Sequence, residues 1–171
     1  MNVTQLHSYN LVNIRTYALA ALFVIGNIFF PQLAHLIPQG GFIFLPIYFF
    51  TLIAAYRYGI HVGMLTAVLS PVVNNLLFGM PPSPVLLPIL IKSGILAMAA
   101  ALFANIYKKV ALLPILFSII AYQLIGTLIE WIIIKDFYLA LSDLRIGIPG
   151  IAIQLFGGYL LLKVLSKSNT R

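Results

Sequence analysis

Six long runs of apolar residues constrain the fold of this chain more than any other feature. The runs lie at about 16–34, 42–56, 60–78, 85–107, 111–134 and 147–165. A helix needs roughly 20 apolar residues to span a bilayer. Only 8% of the residues are charged and 62% are hydrophobic, whereas soluble domains carry about 25% charged residues. The sequence therefore predicts an all-α integral membrane bundle of six transmembrane helices, forming one domain over residues 1–171, and excludes a soluble globular protein.

The second run is the least regular of the six. Gly40 and Gly41 precede it, Pro46 lies within it, and Arg57 closes it. Because the run is short and proline interrupts the helical hydrogen-bond pattern, we expect this span to be tilted, broken or only partly crossing. The proline-rich segment 79–84 predicts a firm boundary between the third and fourth spans.

The positions of the basic residues predict the orientation. With residues 1–14 as a cytoplasmic lead and six crossings, the inner side receives Arg15, Arg57, Lys108, Lys109, Lys163, Lys167 and Arg171. The outer side receives only Lys135 and Arg145, which lie near Asp136 and Asp143 in one long loop. Because lysine and arginine are retained on the cytoplasmic side, we expect both termini to be cytoplasmic. The basic inner face suits the anionic headgroups of the lipid bilayer.

Several kinds of chemistry find no support in the composition. The chain has no cysteine, three acidic residues and three histidines in separate regions, so we expect no metal site, no catalytic residues and no cofactor. A phosphate-binding loop motif is absent, and no nucleic-acid-binding motif is present. The lack of paired intramembrane carboxylates argues against a proton-coupled transporter. We therefore expect a protein that is not an enzyme.

Polar residues within the runs concentrate at one predicted depth. With the topology above, all fall in the outer half of the membrane except Gln123, which lies near the middle; they are Asn74, Asn75, Lys92, Gln123, Glu130 and Gln154. Polar side chains at membrane depth are costly and tend to mark functional sites. The asymmetry predicts a polar cavity that opens to the outside and is closed below.

Each of these residues also has a simpler interpretation. Lys92 could extend its ammonium to the outer interface, and Glu130 could be an interfacial carboxylate or form an ion pair with Lys92. Asn74 and Asn75 could hydrogen-bond between helices, and at most one of these neighbours can face the cavity squarely. Tyr48 and Tyr122 could stack on a flat ligand; Trp131 and Tyr138 fit an interfacial aromatic belt better.

Two stretches resemble a known transporter family. They are Tyr58–Gly63 and Ser70–Gly79, which contain a Tyr-Gly pair, a spaced glycine, a polar Asn-Asn pair and a Leu-Phe-Gly end. With the size and the six spans, they resemble the S component, the substrate-binding membrane subunit, of energy-coupling factor (ECF) transporters. The resemblance covers most of the chain and rests on hydropathy and small residues.

The resemblance implies a function and a set of partners. An S component in a prokaryotic cell membrane captures a vitamin or related micronutrient from outside and docks on a transmembrane T component that carries two cytoplasmic ATPases. Docking in the family uses an Ala-x-x-x-Ala pattern on the first helix, to which Thr16 and Ala20 are the nearest match. Substrate contacts are implied for the region 35–41, which contains Gln39, and for Lys92, Gln123, Glu130 and Gln154.

Our leading hypothesis makes Lys92 the anchor for the substrate. A desolvated ammonium is best compensated by an anion, so we expect a carboxylate or phosphate beside it, with Asn74, Gln123 and Gln154 supplying hydrogen bonds. If Glu130 already neutralises Lys92, a neutral ligand fits instead. The alternative function is a rod-shape-determining type of membrane scaffold, which binds protein partners and needs no ligand cavity.

Overall fold

The computed structural model describes residues 9–167, and all regular secondary structure in that range is helical. Six helical segments are long and apolar enough to span a membrane: Ile14–Ala34, Gly40–Tyr58, Ile60–Phe78, Ser83–Tyr107, Leu112–Ile134 and Ile148–Lys167. The prediction of an all-helical protein with six such segments is confirmed. The N-terminal part of the predicted lead, residues 1–8, lies outside the described residues.

Four of the six spans are single helices. They are α1 (Ile14–Ala34), α4 (Ile60–Phe78), α5 (Ser83–Tyr107) and α6 (Leu112–Ile134). Asn13 caps the start of α1, where its side-chain oxygen accepts a hydrogen bond of 3.0 Å from the backbone nitrogen of Arg15. Gly79 ends α4 in the left-handed conformation, with φ of 67°, which glycine adopts without steric cost.

The second span is broken, which was one of the three outcomes left open by the sequence. It consists of α2 (Gly40–Phe44) and α3 (Pro46–Tyr58), separated by Leu45 at φ of 46°. Pro46 favours the first position of α3 and disfavours helical geometry in the residue before it, so the break falls at Leu45.

The predicted loop between the fifth and sixth spans contains two short helices, α7 (Phe137–Ala140) and α8 (Ser142–Arg145). The sixth span consists of α9 (Ile148–Ala152), a π-helical turn (Ile153–Gly157) and α10 (Gly158–Lys167). The side-chain oxygen of Asp136 accepts a 3.0 Å hydrogen bond from the backbone nitrogen of Leu139 and so caps α7.

The second span lies at the centre of the bundle. In its most apolar stretch 72% of the residues are buried inside the protein, against 22% to 44% in the other spans. α3 packs against α1, α4, α5 and α10. Gly63 on α4 lies so close to α3 that an added Cβ would be 2.7 Å from the Cα of Ala55. Small residues therefore bring these two helices together, as they do in membrane bundles generally.

Several basic residues lie together at one end of the bundle, which we call the basic end; they are Arg15, Arg57, Lys108, Lys109, Lys163 and Lys167. At this end the Tyr56 hydroxyl donates a 2.7 Å hydrogen bond to the backbone oxygen of Lys109, which joins α3 to the connection between α5 and α6. The backbone nitrogen of Tyr9 donates to the oxygen of Tyr58 at 3.4 Å. The start of α1 therefore lies at the same end as the end of α3.

Candidate functional site

A cavity of about 410 Å³ lies at the end of the bundle opposite the basic end. Its wall is formed where α1, α4 and α6 end, where α5 begins, at the break between α2 and α3, and by α7 and α8. Most of the wall is apolar. The polar and charged lining residues are His35, Gln39, Tyr48, Asn74, Lys92, Glu130, Ser142 and Asp143. This volume and this balance of apolar and polar groups are typical of sites for small organic molecules.

Proline and glycine residues explain why a cavity forms at this end of the bundle. Pro46 starts α3 after the break, and Pro81 and Pro82 stiffen the connection from α4 to α5, so none of these segments continues a helix across the space. Gly150 on α9 packs so closely on α2 that an added Cβ would collide with the carbonyl group of Phe44. The sixth span therefore supports the wall from behind.

Three charged side chains from three elements meet in the cavity wall. Nζ of Lys92 on α5 forms ion pairs with Oε2 of Glu130 on α6 and, at 2.7 Å, with Oδ2 of Asp143 on α8. Lys92 is 1% exposed, and each carboxylate residue is 8% exposed. Buried charges need compensation, and here one ammonium serves two carboxylates.

Gly126 makes room for this arrangement. It lies on α6, where an added Cβ would be 2.5 Å from Cγ of Lys92. The stem of the lysine side chain therefore passes directly over the backbone of the neighbouring helix before its ammonium reaches the two carboxylates. Gly126 was not predicted from the sequence, because a glycine in an apolar run carries no polar side chain that would mark it.

Asn74 lies in the cavity wall and is 1% exposed. Its Nδ2 donates hydrogen bonds of 2.9 Å to the backbone oxygens of Asn27 and Ser70. Its Oδ1 has no hydrogen-bond partner within residues 9–167. The neighbouring Asn75 is not a lining residue and donates a 2.7 Å hydrogen bond to the backbone oxygen of Pro81. Only one of the pair faces the cavity, as the 100° step between adjacent helical positions requires.

Gln123 and Gln154, for which the sequence predicted substrate contacts, do not line the cavity. They belong to a buried chain behind the wall, in which Gln123 Nε2 donates to the Tyr122 hydroxyl and this hydroxyl donates to Oε1 of Gln154, both at 3.0 Å. The ring of Tyr122 packs on that of Tyr48, with centroids 5.1 Å apart. Tyr48 separates this hydrogen-bonded chain from the cavity.

Gln39, with His35 beside it, lies at the rim of the cavity. Both residues are exposed, and Gln39 adopts a left-handed conformation with φ of 57° just before α2. Of the six residues predicted to contact a substrate, the structure brings Lys92, Glu130, Asn74 and Gln39 to one cavity.

Asp143 was missed as a site residue. In the sequence Asp143 lies close to Arg145, and it was therefore counted among the charges of the loop. In the structure the Arg145 guanidinium lies 5.8 Å from the centroid of the Tyr138 ring, while Asp143 reaches into the cavity. One signal in the sequence could have identified Asp143. The chain has only three acidic residues, and Asp143 was predicted on the same side of the membrane as Lys92, which needs a counterion.

The predicted docking residues are not exposed. Thr16 and Ala20 are 0% and 2% exposed, and the Thr16 hydroxyl donates a 2.6 Å hydrogen bond to the backbone oxygen of Asn10. They pack inward, so in this structure they are not available to a partner subunit. Small side chains that α1 does expose are Ala18 and Ala21.

The site is equipped for binding. Within the described residues no group of three or more histidine, aspartate or glutamate side chains is arranged to hold a metal ion. The two carboxylates and Asn74 Oδ1 are hydrogen-bond acceptors, and most of the surrounding wall is apolar. Comparisons of the chain with protein-family models, curated proteins and solved structures return no match. The resemblance to S components therefore rests on the size of the chain, its six spans and its pattern of hydropathy and small residues.

Proposed function

We propose that this chain is the substrate-binding S component of an ECF-type importer. It captures a vitamin or related small organic micronutrient in the cavity and delivers it with a T component and two ATPases. The observation that carries the proposal is a cavity of about 410 Å³ with a buried charge cluster at one end of a six-span bundle. Charged groups buried at membrane depth are costly, and their usual role in such proteins is functional.

The proposed orientation follows from the charge distribution. Six basic residues of the described chain lie at the basic end, and the opposite end carries Lys135 and Arg145 together with the acidic residues. Because the basic side of a membrane protein is cytoplasmic, the cavity faces the outside and both termini lie in the cytoplasm of a prokaryotic cell. A nutrient then enters the cavity without crossing the membrane first.

A scaffold of the rod-shape-determining type receives less support. Such a protein binds partners through its surface, whereas Lys92, Glu130 and Gln154 are all buried in this bundle. Buried ionised groups around a cavity contribute nothing to a protein interface elsewhere on the surface, and replacing such a cluster by apolar residues is often stabilising.

The assembly is tested by purifying the tagged chain from its native membranes in mild detergent. We expect one further multi-span membrane protein and two ATPases to co-purify in amounts comparable to the tagged chain. A tagged unrelated membrane protein from the same cells is the control. Purification of the chain alone, or with proteins that include no ATPase, would contradict the ECF assignment.

A further inference from the structure

The charges of the cavity wall do not balance. When all three groups are ionised, Lys92 contributes one positive charge and Glu130 and Asp143 contribute two negative charges. An excess of one negative charge in a largely apolar, partly enclosed space is unfavourable. A bound cation removes this excess, a neutral molecule leaves it, and an anion adds to it. An anionic substrate was expected on the assumption that Lys92 has no partner within the protein. In the structure Lys92 forms ion pairs with both Glu130 and Asp143.

The hydrogen-bonding groups of the wall also disfavour an anionic ligand. The Lys92 ammonium, the strongest donor in the cavity, is directed at two carboxylates. Both donors of the Asn74 amide serve backbone oxygens, which fixes the orientation of the amide, and its Oδ1 is left without a partner. The carboxylates are acceptors only. A ligand that complements this wall therefore brings N–H or O–H donors.

The rest of the wall selects an organic cation over an inorganic one. Apart from the groups above, much of the lining is apolar, including Phe42, Leu45 and Ile89, and Tyr48 adds an aromatic ring to it. A bare metal ion needs several oxygen ligands around it, while an apolar wall and an aromatic ring suit the body of an organic cation.

We infer that the cavity takes a small organic cation, such as an amine or a positively charged nitrogen heterocycle, with an apolar body. This inference rests on the proposed function, which places nutrient capture in the same cavity. The carboxylates of Glu130 and Asp143 then bind the positive charge, and Lys92 keeps the two carboxylates together when the cavity is empty.

Ligands of similar size and different charge test the inference. Binding of 1-methylnicotinamide, nicotinamide and nicotinate, which share a pyridine-type ring and are cationic, neutral and anionic, is measured by thermal shift and titration calorimetry on the purified protein. Thiamine as a larger cation and biotin as a larger anion extend the series at millimolar concentration. We expect the cations to bind at least about tenfold more tightly than the anions.

Variants then show whether the two carboxylates set the preference. Asp143→Asn leaves the neutral Lys92–Glu130 pair, so the protein should fold while the advantage of cations over neutral ligands falls about tenfold. The double variant Glu130→Gln with Asp143→Asn leaves Lys92 alone and should reverse the order in favour of anions. Asp136→Asn is the matched control, because it removes the same charge from an exposed cap outside the cavity.

The possible outcomes separate the inference from the proposed function. Tighter binding of nicotinate or biotin by the wild type overturns the cationic preference and leaves nutrient capture intact. An unchanged order in the double variant also overturns it, since the carboxylates then do not set the selectivity. The absence of binding by every compound of the series overturns both the inference and the capture of a nutrient in this cavity.

Discussion

Nζ of Lys92 lies 2.7 Å from Oδ2 of Asp143, which is 51 residues further along the chain. Lys92 belongs to the fourth span and Asp143 to a short helix between the fifth and sixth spans. The contact therefore fixes the connection α7–α8 to the wall of the bundle. Lys92, Asp143 and Glu130 together form the polar centre of the cavity.

Removal of the lysine should destabilise the protein. In Lys92→Met the two carboxylates of Glu130 and Asp143 lose their common counterion, and breaking a buried ion pair costs about 3–5 kcal/mol. We expect a clear decrease in the free energy of unfolding, measured by SDS titration in mixed micelles. Adding Glu130→Gln and Asp143→Asn to Lys92→Met should restore much of the loss. A Lys92→Met variant as stable as the wild type would show that the ion pairs do not exist.

Glycine at position 126 should be required by the lysine stem. Gly126→Ala places a Cβ 2.5 Å from Cγ of Lys92, which must move away from its two partners. We expect a lower melting temperature even though alanine favours a helix by about 1 kcal/mol over glycine. Gly94→Ala is the control on the adjacent helix, because its Cβ would meet only Cε of Met64 at 3.8 Å. Equal melting temperatures for the two variants would contradict the packing described here.

Asn27 should stabilise the bundle through hydrogen bonds between helices. Its Nδ2 donates to Oγ1 of Thr51 at 3.1 Å and to Oγ of Ser70 at 3.0 Å, and its Oδ1 accepts from the backbone nitrogen of Phe50 at 3.3 Å. Interhelical hydrogen bonds in membranes contribute on average about 0.6 kcal/mol each, so Asn27→Ala should cost about 2 kcal/mol.

Ser118→Ala is the control for this measurement. The Ser118 hydroxyl is buried but donates within its own helix, to the backbone oxygen of Pro114 at 2.8 Å. We expect little change in the free energy of unfolding of that variant. A loss for Ser118→Ala as large as that for Asn27→Ala would mean that the effect arises from burial and not from the contacts between helices.

The proposed orientation can be measured directly because the chain has no cysteine. Single cysteines are introduced at Tyr138, near the cavity, and at Lys109, at the basic end; both positions are exposed. In intact cells a membrane-impermeant maleimide should label Tyr138→Cys and should label Lys109→Cys only after permeabilisation. The reverse pattern would place the cavity in the cytoplasm.

The positions of the six spans could be predicted from the sequence, because the hydropathy of each run indicates how long the helix is and which residues lie within the membrane. The break in the second span was foreseen as one of three outcomes, and its location at Leu45 follows from the steric effect of Pro46. The π-helical turn around Gln154 was not foreseen. In an apolar helix no local residue pattern marks the point at which one extra residue is accommodated.

The direction of each polar side chain around its helix was harder to predict. Glu130 and Gln154 were predicted in the outer half of the membrane and Gln123 near its middle, yet of these three only Glu130 reaches the cavity. Lipid-facing and core-facing positions are both apolar in a membrane protein, so the hydrophobic pattern does not identify the inner face as it does in soluble helices. The approach of Asp143 to Lys92 depends on how α7 and α8 fold back, and a loop sequence does not encode that at short range.

Mass spectrometry of the compounds that co-purify with the protein shows directly whether the cavity holds a small molecule. Ile89→Trp fills the cavity next to Lys92, while Leu87→Trp adds the same bulk at an exposed position on the same helix. We expect one small organic molecule, nearly equimolar with the protein, in the wild type and in Leu87→Trp, and its loss in Ile89→Trp. Equal amounts in all three proteins, or no such molecule in the wild type, would contradict the account.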